Sequence, residues 1–478
     1  MSLNLQRSLI TVGVCGCLGL GVVLQPFFLA AQETGQQPPA PARDSTPPPP
    51  ESSAAILLPA PLGGFKPRLT TGPLPAEGRP DLLTGSIGFN ALYTDNAFPT
   101  LSKAVDDYQY SIIPGIGFQS FGSHTQWNLN YAGGLTVDQR LAGNSQQTHG
   151  ATADLQHEFT PRLTSEVRED FAITNNPFTQ IGSSPSLPTI SGPGQLSPFA
   201  VPSPATLIAN ISTANVTYLL GEHSAMGASG SFSLQHFHDV EAAPGSISKL
   251  IDTTNTAGRA FYLRQISSHQ TIGAEYQLQD LYFDGGRART VDQAVFLFDG
   301  ISFTHNMTLS LYAGPEHTHI HNIIFLLPGF SATVLSLLED RWAASGGFEY
   351  AWRTNRNGLR FSGESRVADG GGWIGTVRLN TASLELQKAL SPHWAATLQL
   401  IFSDGRALGS PANLPENRIT TEEGLLRFSY EIKRNLSASA QYARIREPHL
   451  GAFILVLHPD YNQVQVGLTY RFQKAFSK

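Results

Sequence analysis

The chain is poor in charged residues and very poor in lysine. Only 14% of its 478 residues are Asp, Glu, Lys or Arg, whereas a soluble domain carries roughly 25%. Seven of its 31 basic residues are lysine, and its net charge is −6. Proteins that bind nucleic acid carry a basic patch or a high isoelectric point. The composition therefore argues against a nucleic-acid partner.

Cysteine is absent from almost the whole chain. Both cysteines, Cys15 and Cys17, lie in the apolar run "SLITVGVCGCLGLGVVLQPFFLAA" that follows Arg7. A basic start, an apolar core and small residues before a polar stretch are typical of a secretory signal peptide. We expect residues 1–31 to be removed after Ala31, so that the mature chain uses neither disulfides nor thiol chemistry. Two alternatives stay open: an uncleaved membrane anchor and a lipoprotein acylated on one cysteine.

The next segment, residues 32–80, is rich in proline, as in "QQPPAPARDSTPPPP" and "LPAPLGG". Proline fixes φ and has no backbone donor, so such a tract favours extended, solvated chain over a packed core. We expect a disordered periplasmic linker, too rich in proline to fold as a separate plug domain. A tether of this composition is also suited to binding peptidoglycan or a protein partner.

Long apolar runs are missing after the first 31 residues, so no transmembrane helix is predicted there. Alternation with period 2 is present instead. In "RLTSEVREDFAI" Leu163, Val167 and Phe171 alternate with charged and hydroxyl residues. Sustained alternation is typical of strands whose two faces meet different media. Eighteen such segments begin near residues 83, 108, 124, 147, 162, 206, 224, 253, 270, 291, 306, 340, 357, 374, 393, 419, 435 and 461.

The connections between these segments alternate between two sets. One set is short, such as "TPR" and "KRN", and the other is longer and includes residues 174–205, 284–290, 318–339 and the barely long 368–373. Outer-membrane barrels have short periplasmic turns and longer extracellular loops. Because strand amides in lipid must all be paired, such a sheet closes on itself. A soluble two-sheet sandwich fits less well, because about four hundred residues run without a break.

We therefore predict an all-β fold over residues 81–478: a single closed antiparallel transmembrane β-barrel of about 18 strands, with 16–18 as the expected range. Its polar face would point to a wet lumen with charges of both signs. The pore-lining candidates are Glu166, Arg168, Glu275, Glu349, Arg353, Arg360, Glu364, Arg366, Arg427, Glu431 and Arg471. Two interpretations stay open, namely mutually paired ladders that stabilise the wall and a transverse field that orients polar solutes.

The closing stretch "VGLTYRF", with Leu468, Tyr470 and Phe472 on its apolar face, resembles the C-terminal strand signal of Gram-negative outer-membrane β-barrels. The tail "QKAFSK" departs from that class, whose members commonly end on the aromatic residue. The opening "GSIGFNALYTDNAF" is similar to uncharacterised barrels found with exopolysaccharide or exosortase systems. The class resemblance implies a bacterial outer-membrane location, lipid and lipopolysaccharide as surroundings, the barrel-assembly machinery as partner, and no cofactor.

Two further features are candidates for binding. The stretch "EHTHIH" places His317, His319 and His321 on one strand face, where imidazoles are candidate metal ligands, although polar rim histidines are the simpler interpretation. The apolar stretches 322–340 and 449–461 suggest loops that pack as a lid or contact lipopolysaccharide. No nucleophile elbow, P-loop or paired zinc spacing is present, so an enzyme is not predicted.

Taken together, these features predict a porin-like channel for passive diffusion of small hydrophilic solutes. The alternatives are an outer-membrane component of an exopolysaccharide export system and a structural or adhesive surface barrel.

Removal of the signal peptide can be tested on the protein purified from membranes. Its intact mass should match a chain that begins at Gln32, because the small residues before a polar stretch define the cleavage site. A mass that includes residues 1–31 would show an anchor, and an acylated cysteine would show a lipoprotein.

Overall fold

A computed structural model describes residues 81–96, 105–140, 146–174, 206–238, 250–283, 288–325, 334–372, 374–409, 418–450 and 460–476. The predicted signal peptide and linker lie outside these described residues. Within them, no helix has the length and apolarity needed to cross a membrane.

The described residues form eighteen β-strands. In chain order they are β1 Asp81–Thr94, β2 Asp107–Phe121, β3 Thr125–Asp138, β4 Gln146–Thr160, β5 Leu163–Thr174, β6 Thr206–Gly221, β7 Ser224–His238, β8 Thr253–Ser267, β9 Gln270–Phe283, β10 Ala288–Thr304, β11 Met307–Phe325, β12 Val334–Arg353, β13 Asn357–Gly370, β14 Ile374–Ala389, β15 Trp394–Ala407, β16 Arg418–Lys433, β17 Leu436–Leu450 and β18 Tyr461–Phe476.

The sheet closes on itself. Each strand pairs antiparallel with its neighbours in sequence, and β18 pairs with β1 from Asp81–Phe476 to Thr94–Gln463. Closure leaves no exposed sheet edge between the first and last strands, which is the requirement for strands in lipid. The predicted barrel of eighteen strands is confirmed. The largest error in a strand start is at β12, predicted near residue 340 and beginning at Val334.

The two faces of the wall differ as the alternation predicted. On β18 Val464, Val466 and Leu468 are exposed on the outer face, whereas Gln463 is buried on the inner face. On β12 the outward-facing Trp342 and Trp352 lie ten residues apart. At ~3.3 Å per residue and a tilt of about 40°, they bracket a band about 25 Å tall. The outer face therefore has the dimensions and chemistry of a membrane belt.

Several predicted loops are shorter than expected. The connection predicted at 284–290 spans only 284–287, and the one at 368–373 spans only 371–373. The loop predicted at 318–339 is wrong at both ends, because β11 runs to Phe325 and β12 begins at Val334. Polar residues such as the histidines masked the strand pattern there. Residues 326–333 and 451–459, the centres of the two apolar stretches, lie outside the described residues.

The tail after Phe472 continues β18 as far as Phe476, where it pairs with the start of β1. The last residues of the strand therefore help to close the barrel. The unusual C-terminal extension lengthens the closing seam at the short-turn rim.

An outward charge in β18 should destabilise the barrel. Leu468→Arg places a guanidinium near the middle of the apolar face, and we expect the free energy of unfolding to fall by about 2–4 kcal/mol. Urea titration of the protein refolded into vesicles measures this change. The control is Gln465→Arg, which introduces an arginine on the inner face of β18 instead. It should change the free energy of unfolding by no more than about 0.5 kcal/mol. Equal effects of both variants would contradict the assignment of the faces.

Candidate functional site

The inner face of the barrel is the candidate site. The strand registers place all eleven pore-lining candidates on the face opposite to the apolar belt. Their contribution to conduction stays a prediction.

Several of these charges pair with a neighbour on the same wall. Arg360 Nη2 lies 2.7 Å from Glu349 Oε2 on the adjacent strand. Arg366 Nε lies 3.1 Å from Glu364 Oε1, and both side chains are largely buried. Arg168 Nε lies 2.7 Å from Asp170 Oδ2, two residues along β5. Removing one charge of such a pair would leave its partner uncompensated. The first role of these pairs is therefore to stabilise the barrel wall.

The remaining candidates have other surroundings. Arg427 donates to Gln441 Oε1 from Nε and Nη2, at 2.8 and 2.6 Å. Glu275 is 2% exposed, and neither of its carboxylate oxygens has a hydrogen-bond partner among the described residues. Its register partners are Phe261 and Phe296, both buried. The inner wall on β8–β11 therefore combines buried aromatic rings with buried polar side chains such as Arg259 and Gln277, and the alternation alone did not predict the aromatic rings.

An open cavity of about 1280 Å³ lies along the inner face of β1–β4, near the short-turn rim. Its described lining is mainly small and polar, with Thr84, Ser86 and Asn130 among the side chains, and it includes Arg434 and Arg471. Glycines keep the wall flat here. A Cβ at Gly117 would lie 2.5 Å from Thr84 Oγ1 and 2.6 Å from Asn130 Oδ1. The width of the cavity therefore depends on glycines and other residues with small side chains.

The β13–β14 hairpin, residues 366–378, leaves the wall and folds into the barrel. Strands β12 and β13 pair only from Arg353–Gly358 to Gly346–Ser365. At the hairpin tip Gly371 and Gly372 have φ of 65° and 86°, a conformation that glycine adopts without steric cost. The tip reaches β7 and β8, where Ile251 N donates to Gly372 O at 2.8 Å. Without a Cβ, Gly372 also packs directly against the ring of Phe237.

An apolar cluster fixes this hairpin to the inner wall. Val367 of the hairpin packs with Leu281, Phe283 and Ile320, which point inward from β9 and β11, and with Leu408, which follows β15. Each of these five side chains is buried, and full burial of such a side chain stabilises by roughly 1.5–3 kcal/mol. Lower on the hairpin, the Thr290 and Thr376 hydroxyls share a hydrogen bond of 2.5 Å. The hairpin therefore narrows the lumen on the long-loop side.

A buried ion pair lies at the base of the hairpin. Arg378 Nη1 pairs with Glu316 Oε2, and Ser345 Oγ donates to the same oxygen. Arg378 Nε also donates to Ser365 Oγ at 3.1 Å. Sequence reasoning did not single out Arg378 and assigned Glu316 to the histidine stretch. A signal was present, because Arg378 occupies a lipid-facing position in the alternation of β14. A charge at such a position indicates that the strand has left the membrane wall.

The histidine stretch lies on the outer face of β11. His319 Nδ1 is 2.7 Å from Asp340 Oδ1, and the ring of His317 lies 4.6 Å from that of Trp342. The described residues contain no group of three or more His, Cys, Asp or Glu side chains that could hold a metal ion. These contacts are those of polar side chains near the rim of the outer face.

Displacing the hairpin tip should widen the channel. In Gly372→Val the new Cβ would meet the Phe237 ring at 2.6 Å, at a φ that valine rarely adopts. We expect the tip to move off the wall and single-channel conductance to rise. Gly375→Val is the control, because a Cβ there meets no atom of the described residues within 4 Å. Unchanged conductance in Gly372→Val, in protein that refolds normally, would show that the hairpin does not limit the path.

Comparison with known proteins gives a likeness of fold alone. No protein-family model matches the chain, and no curated protein matches it. The solved structures that align include OpdL of Pseudomonas aeruginosa, 10% identical over 82% of this chain and 99% of that chain, with a TM-score of 0.38. OccAB4 of Acinetobacter baumannii is 11% identical over 84% and 100%, with a TM-score of 0.40. The unliganded ferric citrate transporter FecA is 11% identical over 83% and 65%, with a TM-score of 0.41. By its own closed sheet and apolar belt, the chain is a transmembrane β-barrel of the outer-membrane class.

Proposed function

We propose that the barrel is a porin-like channel for passive diffusion of small hydrophilic solutes. The observation that carries the proposal is the cavity of about 1280 Å³ inside a closed wall, with a mainly small and polar lining. Barrels of sixteen to eighteen strands are wide enough to enclose an aqueous channel. A lining that offers hydroxyl and amide groups can replace part of a polar solute's hydration.

The folded-in hairpin supports a limit on solute size. It lies across the inner face of β8–β11 and is held there by a buried apolar cluster. A polysaccharide in transit needs a continuous wide path, so this constriction favours small solutes over the alternative of polymer export.

The cavity also favours one sign of charge. Its described lining contains Arg434 and Arg471 and no carboxylate. Charges that line a narrow path raise the local concentration of ions of opposite sign. We therefore propose that this end of the lumen prefers anionic solutes, while charges that are paired on the wall, such as Arg360 with Glu349, contribute little selectivity.

The belt supports the remaining parts of the proposal. Leu468, Tyr470 and Phe472 are exposed on the outer face of the closing strand, with 42%, 44% and 54% of their surface accessible. In that position the three side chains are available to barrel-assembly machinery before closure. After closure the same face meets outer-membrane lipid, and the long-loop rim is the part that would meet lipopolysaccharide.

Conductance of the purified protein in a planar bilayer tests the channel. Discrete openings are expected, with a reversal potential that shows anion preference. The absence of openings under a range of voltages would contradict the proposal and favour a structural or adhesive barrel.

Charge reversal in the cavity should change ion selectivity. Arg471→Glu, alone and with Arg434→Glu, should shift the reversal potential in a salt gradient toward cation preference, because both residues line the cavity. Arg444→Glu makes the same change on the outer face of β17 and is the control. An equal shift in the control, or none in Arg471→Glu, would remove the cavity from the ion path.

A further inference from the structure

Among the described strands, the longest interruption in the pairing of the barrel wall lies between β12 and β13. Strands β12 and β13 form eight residue pairs, and above Gly346–Ser365 both strands continue but separate. Strand β12 runs on to Val334 paired only with β11, and β13 runs on to Gly370 paired only with β14. The interval between them above this point, called here the β12–β13 seam, has no backbone ladder among the residues that the structure describes.

The seam opens inside the apolar belt. Gly346 lies six residues from Trp352 and four from Trp342 on the same strand. At ~3.3 Å per residue and a tilt of about 40°, the ladder stops roughly 15 Å above Trp352, within a belt about 25 Å tall. Unpaired backbone groups at this depth cost several kcal/mol each. Something other than a strand must therefore satisfy them.

Side chains make hydrogen bonds to the backbone groups that the β12–β13 ladder leaves unpaired. Two residues past the last pair, Ala344 and Val367 would face each other if the ladder continued. Instead, Val367 N donates to Glu316 Oε1 at 3.3 Å, and Arg378 Nη2 donates to Ala344 O. Glu316 and Arg378 pair with each other. One ion pair thus stands between the two backbones and bonds to both.

The seam lies between an inner surface of aromatic and charged residues and the lipid-facing surface. Its β12 margin is made of small residues, Ala343, Ala344, Ser345, Gly346 and Gly347. On the lumen side, Gly347 pairs with Tyr312, whose ring lies 5.7 Å from that of Phe296. On the lipid side, Trp342 is 72% exposed. The Tyr312 hydroxyl also donates to Glu364 Oε2 at 3.4 Å. An inner surface with both aromatic and charged groups, a margin of small side chains and the bilayer therefore follow one another along a short path.

We propose that the β12–β13 seam is a lateral portal through which amphipathic solutes with an alkyl or aromatic body pass between the lumen and the membrane. The Glu316–Arg378 pair is its closure. Side chains can rotate away from a gap, whereas a backbone ladder would have to be unzipped. The inference goes beyond diffusion of hydrophilic solutes, and it rests on the proposed function only in requiring a lumen that solutes can enter.

The first test asks whether lipid reaches an inward-facing residue at the seam. A photoreactive benzoylphenylalanine replaces Ala343, which shares the inner face with Glu316, in the full-length protein refolded into phospholipid vesicles. The control position is Ala132, which lies on the inner wall where β3 is paired on both sides. Lipid adducts are expected at Ala343 and not at Ala132. Their yield at Ala343 should rise when the protein also carries Arg378→Met. No adduct at Ala343 in either background would overturn the proposal.

The second test locks the seam. The double variant Ala344→Cys/Val367→Cys places two cysteines that would face each other if the β12–β13 ladder continued. They can form a disulfide only when the hairpin returns to the wall. Oxidation should then slow the transfer of dansyl-undecanoate from the lumen into vesicle lipid by about tenfold, equivalent to ~1.4 kcal/mol. Arabinose flux through the same vesicles should not fall.

The outcomes separate the portal from the channel. An equal loss of both fluxes on oxidation would overturn the portal, because it would place both solutes on one axial route. If the unmodified protein shows no arabinose flux at all, the channel is contradicted. Lipid adducts at the seam would then still be evidence for the portal. If no disulfide forms and Ala343 gives no lipid adduct, the hairpin is a fixed plug and the portal is excluded.

Discussion

Every strand amide in a bilayer must find a partner within the protein, and this requirement organises the whole molecule. It explains why β18 returns to β1 along its full length, from Asp81–Phe476 to Thr94–Gln463. It also explains why the interruption between β12 and β13 contains a buried ion pair rather than open backbone. Glu316 and Arg378 act as substitutes for a ladder rung between β12 and β13. A buried ion pair is a costly device for stability alone, which makes its position between two separating strands informative.

The lumen divides into regions of different chemistry. The wall formed by β1–β4 is lined by small residues and borders open space. The wall formed by β8–β11 carries inward aromatic residues such as Phe261 and Phe296, and the β13–β14 hairpin covers its upper part. Between these regions, neighbouring strands carry paired charges such as Glu349 and Arg360. A solute would meet polar, ionic and apolar surfaces at different positions, so entry and exit need not follow one axis.

The strands and their faces could be predicted from the sequence because period-2 alternation is a local signal that repeats on every strand. The closed sheet followed from the same signal together with the need to pair amides. The folded-in hairpin could not be predicted in this way, because its contacts join residues far apart in sequence, such as Thr290 with Thr376 and Glu316 with Arg378. The extra length of β11 and β12 was missed since His319 and Asp340, polar and outward-facing, interrupt the apolar pattern near the rim. Arg378 and Asp369, charged residues at lipid-facing positions in the alternation of β14 and β13, were local clues to the hairpin.

The seam between the first and last strands gives the barrel the connectivity of a ring. Asp81 lies opposite Phe476 at the short-turn rim, on the same side as two-residue turns such as the one at Glu222–His223 between β6 and β7. Every strand therefore has the two neighbours it would have in a cyclic chain. A circular permutant, joined between these ends and cut at such a turn, would preserve all eighteen pairings while changing the order in which the strands are synthesised. Such a rearranged gene would separate what the finished barrel requires from what its assembly requires.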